Sequence, residues 1–204
     1  MVCWGDFGKK TKVKVSAGVF DGGTSTGNRK ILGAARVQID FWDKEDGYYL
    51  NGTYYGDKNL LAIGGATQVQ DGHTATTVDF LLEKKLPNAG VFSVESEYSN
   101  YNRLGGYQAL YAKSQGAYGL GSYLFPKAYS IGKISGKFEI LGKYAKAEFT
   151  HGTTPSYNQK TTEVNFNYVI KQFNARVMTF YKDTRFNRVQ PDFWQAGVGL
   201  QIQM

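Results

Sequence analysis

Cysteine is almost missing from this chain: Cys3 stands alone. One thiol excludes an internal disulfide and a thiolate metal cluster. The histidines, His73 and His151, have no second His or Cys at ligand spacing, which sets a metal centre aside. Proline occurs only four times in 204 residues, as long strands require. No run approaches the roughly 18 apolar residues of a transmembrane helix, and the mean hydropathy is −0.40. Amphipathic helix periodicity is absent as well. There is no Cys-x-x-Cys-His, so no covalent haem. The cluster Asp21-Gly-Gly-Thr lacks the Lys-Ser or Lys-Thr ending of a phosphate loop. Ser16, Ser93 and Ser96 share no motif with either histidine, so a Ser-His-Asp hydrolase is not indicated. We expect neither an enzyme nor a cofactor. The net charge is +7, but its basic residues are spread singly rather than in a stripe, which argues against a nucleic-acid partner.

What the chain does have is alternation. From Trp194 to Met204 the even positions are Trp, Ala, Val, Leu, Ile and Met, and the odd ones are Gln or Gly. Side chains of a strand alternate faces, so one face is apolar and the other polar or bare. Roughly ten residues cross a hydrocarbon core when tilted. The pattern recurs in Lys12 to Phe20, and in Ile31, Gly33, Ala35, Val37, Ile39 and Phe41 against Arg36, Gln38 and Asp40. It returns in Tyr48 to Gly56, Leu60 to Gln70 and Thr74 to Leu82, then from Phe92, Ala117, Lys137 and Val164, and in the strand reaching Tyr181. Asp71-Gly72 marks a tight hairpin. Residues 100–115, 151–160 and 184–191 read as loops. The count is about eleven strands in up-and-down order, in one domain, an all-β antiparallel barrel.

A soluble barrel that binds a small apolar ligand also alternates, with its apolar face inward. Membrane insertion is favoured by the long strands and by mid-strand charges on the polar faces. It is favoured too by Tyr and Trp near strand ends: Trp42, Tyr48, Tyr49, Tyr54, Tyr55, Tyr98, Tyr101, Tyr181 and Trp194. The start Met1-Val-Cys-Trp has neither the basic nor the apolar region of a secretion signal. An exported reading therefore expects processed numbering or part of a longer precursor.

The segments Phe41-Trp-Asp-Lys-Glu-Asp-Gly-Tyr-Tyr, Gly52-Thr-Tyr-Tyr-Gly-Asp-Lys-Asn-Leu-Leu-Ala-Ile-Gly-Gly65, Tyr118-Gly-Leu-Gly-Ser-Tyr-Leu-Phe125 and Gly197-Val-Gly-Leu-Gln-Ile-Gln-Met resemble bacterial porins of the phosphate-selective group. The resemblance implies a Gram-negative outer-membrane pore for small solutes or inorganic anions, surrounded by outer-membrane lipid. A homotrimer is the assembly it allows. Such porins have roughly sixteen strands, so the chain looks like the C-terminal part of one or a smaller relative. Two departures stand out. Met204 takes the place of a terminal aromatic residue, and no row of Arg or Lys on successive strands matches the group's anion ladder.

With apolar residues facing lipid, the expected lumen carries Lys12, Lys14, Arg36, Lys137, Lys143 and Arg176 against Asp40, Asp79, Glu83, Glu95, Glu97, Glu139 and Glu163, with Gln38, Asn165 and Gln201 between them. The signs nearly balance, which predicts weak selectivity. Arg36 and Lys143 are the expected electropositive contributors. The alternative is that these charges pair across neighbouring strands and only hydrate the wall.

Overall fold

A computed structural model of the chain describes residues 2–8, 12–45, 53–108, 112–151, 154–187 and 190–203. They form one antiparallel sheet of eleven strands in sequence order. The strands are β1 (Val2–Phe7), β2 (Lys12–Gly23), β3 (Arg29–Asp40), β4 (Leu60–Gln70), β5 (His73–Lys85), β6 (Val91–Asn102), β7 (Lys113–Ile131), β8 (Ile134–His151), β9 (Thr154–Lys171), β10 (Ala175–Phe186) and β11 (Phe193–Ile202). β1 and β11 are the two edges, so the closure expected of a barrel is not made among the described residues. Asp71 and Gly72 both have positive φ, as a two-residue hairpin demands, and Gln70 faces His73 across it.

The strand count agrees with the sequence pattern, but two strands change places. Val2–Phe7 pairs with β2, although Gly5 and Asp6 break its apolar rhythm. Tyr48 to Gly56 is not a strand in its described part: Thr53 to Gly56 is loop and turn, while 46–52 lies outside the described residues. Three expected loops are shorter than the sequence pattern suggests. β6 and β7 reach into 100–115, β9 starts at Thr154, and β10 runs to Phe186. β7 also continues past Pro126. Its ladder with β8 slips between Leu124 and Ala128, and a proline is tolerated in that bulge because no ladder bond is asked of it.

The ladders carry the two faces without interruption from strand to strand. One face presents Val37, Ile63, Val78, Tyr98, Ile140, Val164, Phe166, Tyr181, Val198 and Leu200, all exposed. The other face holds the buried polar side chains: Gln38, Asp40, Asp79, Glu83, Ser93, Ser122, Glu139, Asn167 and Thr184.

The apolar band does not run straight across the sheet. On β3 it spans Ile31 to Phe41; on β11 it spans Trp194 to Ile202. One ladder row joins Ile39, Ile63, Phe80, Ser96, Gly119, Tyr144, Thr162, Asp183 and Trp194. Relative to that row the band's centre slides by about seven residues between β3 and β11. At about 3.3 Å per residue and about 4.8 Å per strand spacing, that is an inclination of about 30°.

Candidate functional site

The described parts of the β3–β4 connection, residues 41–45 and 53–59, form a strap laid on the polar face. At its base the Phe41 and Asp43 amides donate to the carbonyls of Leu61 and Asn59 at 2.8 and 3.0 Å. Its tip turns at Tyr55 and Gly56, both with positive φ, and the Asp57 amide donates to the Tyr54 carbonyl at 3.1 Å. Glu83 of β5, fully buried, receives that tip. Its carboxylate accepts from Thr53 Oγ1 at 2.7 Å and from the amides of Tyr54 and Gly56 at 2.8 Å each. Ser93 Oγ adds a fourth donor at 3.3 Å. A buried carboxylate is tolerable only when its lone pairs are filled in this way.

The same tip reaches β10. Arg176 Nη1 donates to the Tyr55 hydroxyl at 2.9 Å, and Gln172 Nε2 to Asp57 Oδ2 at 2.6 Å. The Tyr55 ring meets Phe173 edge-on at 5.1 Å and packs with Val91, Leu124 and Val169. In a flat sheet β5 and β10 would stand about 24 Å apart, five spacings. Five consecutive residues touch both strands, so the sheet is curled and its polar face is concave. Burial raises the Tyr55 hydroxyl pKa above its ordinary value, against a smaller opposing pull from Arg176. Tyr54 covers Leu60, Ala62 and Leu81, so this part of the concave face is apolar beneath the strap.

Beside the strap lies a charged network. Arg36 of β3 grips Asp79 of β5 with both terminal nitrogens, at 2.5 and 2.8 Å. It reaches over β4 because Gly64 stands between: a Cβ there would lie 2.4 Å from Arg36 Nη2 and 2.5 Å from Asp79 Oδ1. Arg36 Nη2 also donates to Gln38 Oε1 at 3.2 Å, and Gln38 Nε2 to Asp40 Oδ1 at 2.8 Å. The Glu45 amide donates to Asp40 Oδ2 at 3.2 Å, and Lys14 pairs with the buried Glu45 carboxylate at 3.2 Å.

All sixteen residues expected to line a lumen share the concave face by ladder register. One row runs Lys12, Asp40, Ala62, Leu81, Glu95, Leu120, Lys143, Glu163 and Lys182. The next runs Lys14, Gln38, Gly64, Asp79, Glu97, Tyr118, Ala145 and Thr161. Asn165 sits opposite Leu141 and Phe180, Glu139 opposite Asn167, and Lys137, Val169, Arg176 and Gln201 share a row. Of the two expected electropositive contributors, Arg36 is neutralised by Asp79, while the Lys143 ammonium lies 4.4 Å from the centroid of the Tyr118 ring. The aromatic belt needs correction: Tyr54, Tyr55 and Tyr101 belong to the concave side, whereas Tyr98, Tyr181 and Trp194 face outward. Tyr48 and Tyr49 lie outside the described residues. The strap itself, and Glu45 within it, gave no sign in the alternation pattern.

No protein-family model, curated protein or solved structure matches the chain.

Proposed function

We propose that the curled sheet is the wall of a water-filled outer-membrane channel, a porin of a Gram-negative bacterium that passes small solutes or ions by passive diffusion. The observation that carries this reading is the inverted burial. Asp40, Glu45 and Glu83 are among the most deeply buried side chains, while Val198, Leu200 and Ile202 are 76, 66 and 66 % exposed. Water tolerates a scattered exposed apolar residue but not a band that recurs on every strand from β2 to β11. Lipid demands such a band. Its inclination of about 30° is near the tilt of strands in membrane barrels. The soluble alternative needs Val37 and Phe166 inside, yet they are 45 and 48 % exposed on the convex face. Open edges do not survive in hydrocarbon, so β1 and β11 would pair onward, with each other or with further strands. The phosphate-selective group remains the family this proposal favours. The internal pairing of Arg36 with Asp79 and of Lys14 with Glu45 argues for weak rather than strong anion selectivity.

The test is insertion. Folded protein is expected to need detergent or lipid, to run with heat-modifiable gel mobility, and to conduct in planar bilayers. Leu200→Arg, on the outer face, is expected to weaken insertion by about 2–4 kcal/mol, as for basic residues near the bilayer midplane. Monodisperse protein in plain buffer, indifferent to Leu200→Arg, defeats the proposal.

A further inference from the structure

The half of the concave face away from the strap holds a hollow of about 260 Å³. Its floor is made by small residues on three neighbouring strand positions: Gly116 of β7 and Ala145 and Ala147 of β8. Three aromatic rings rise around it: Tyr101 of β6, Tyr118 of β7 and Phe149 of β8. Their placement follows from the ladder, because Tyr101 and Phe149 both flank Ser114 and Tyr118 flanks Ala145. Tyr118 is fixed from two sides. Its hydroxyl donates to Glu95, and the Lys143 ammonium stands over its ring at 4.4 Å. Phe149 is backed by Tyr157, with ring centroids 5.0 Å apart. Between the rings the rim offers Glu97, Gln159 and Thr161.

Resting on the channel reading, we propose that this hollow is a solute subsite for the pyranose ring of a neutral sugar. The chemistry separates the candidates. An inorganic anion needs converging cations, and Lys143 is the one basic side chain here that belongs to the concave face. The rim groups already bond locally, Glu97 accepting from Ser99 Oγ and Thr161 Oγ1 from Gln159 Nε2 at 3.4 Å, but an apolar ligand would cover their remaining donor and acceptor positions without replacing water there. A pyranose presents C–H faces that lie on aromatic rings and an equatorial belt of hydroxyls that both donate and accept. The rim supplies each complement: an acceptor-only carboxylate at Glu97, an amide with both functions at Gln159 and a rotating hydroxyl at Thr161.

The experiment uses the full chain in planar bilayers, with maltotriose as probe and inorganic phosphate as comparison. Maltotriose is expected to interrupt the current in a concentration-dependent way. The half-blocking concentration, read against each variant's own open current, is expected to rise about tenfold in Ala147→Leu, which fills the floor, and in Tyr101→Ser, which removes a wall. Current that ignores maltotriose, or block that both variants leave unchanged, overturns the subsite while leaving the channel intact. Block by phosphate at lower concentration than by maltotriose overturns it in favour of an anion site. Folded protein that carries no current defeats the channel reading instead. The hollow is then read by tyrosine fluorescence titration with maltotriose in detergent, where no response overturns the subsite and a saturable response lost in Ala147→Leu sustains it.

Discussion

The two halves of the concave face belong to one sheet and one alternation of faces, yet one is filled and the other hollow. Near the strap, long polar side chains meet a folded-back loop, and Glu83 and the Arg36–Asp79 pair are saturated with partners. Away from it, Gly116, Ala145 and Ala147 leave space, and among the described residues no loop comes down. The sheet therefore does not set the width of the cavity; side-chain size and one carboxylate do. A buried anion with four donors is an unusual fastener. It holds the loop by two backbone amides and the Thr53 hydroxyl, and leaves the Tyr55 side chain to act on Arg176.

The largest effect should come from erasing that difference. Glu83→Ala leaves two backbone amides and Thr53 Oγ1 without their acceptor, and the strap loses its hold on β5. We expect single-channel conductance to rise about twofold or more, since the narrowest cross-section sets the current. Glu83→Gln should give an intermediate rise, because the amide still accepts on one side. Unchanged conductance in both would mean that the strap is not the narrow part.

A smaller effect is expected at Gly64. A valine there occupies the space through which Arg36 reaches Asp79. The cost should be about 1–3 kcal/mol in thermal unfolding, from overpacking and from separating a charge pair. Asp79→Asn keeps the shape but removes one sign, and the reversal potential in a salt gradient should move toward anions. Arg36→Gln should move it toward cations, and the double variant should return close to the parent. Three variants with one common reversal potential would show that the pair does not face the permeation path.

The faces were legible because period two is a local property. Thr74, Thr76, Val78, Phe80 and Leu82 declare their side of β5 without knowing what β4 does. Strand lengths were less so. Hydrophobic alternation marks only the part of a strand inside the apolar band: β8 reads as a strand as far as Phe149, whereas its partners Asn158 and Lys160 on β9 lie in a stretch that reads as loop. The strap was illegible for a different reason. Its anchors at Glu83 and Arg176 are 29 and 121 residues from Tyr54 and Tyr55, and nothing near Tyr54 announces them. Tyr48 to Gly56 reads as a strand because short-range pattern cannot tell a ladder partner from a distant carboxylate. The hollow follows the same logic: each small residue is unremarkable alone, and only the ladder places Gly116 beside Ala147.

The smallest effect expected is at the far end of the strap, and it carries a pH signature. Tyr55→Phe keeps the ring on Phe173 and loses only the hydrogen bond from Arg176, worth about 1–2 kcal/mol for a charged donor. In the parent protein, burial raises the hydroxyl pKa, so folding favours the protonated form. That contribution is complete below the ordinary tyrosine pKa and is lost as pH climbs through the raised value. Strap-limited conductance should therefore stay flat through neutral and mildly alkaline pH and begin to rise only above about pH 10, the unperturbed tyrosine value. Lysines of the wall also titrate there, so the discriminating quantity is the difference between parent and Tyr55→Phe across the same range. A difference that closes as pH rises places the hydroxyl at the joint between strap and β10. A difference constant with pH means that the ring alone, through Phe173, Val91 and Leu124, holds the tip in place.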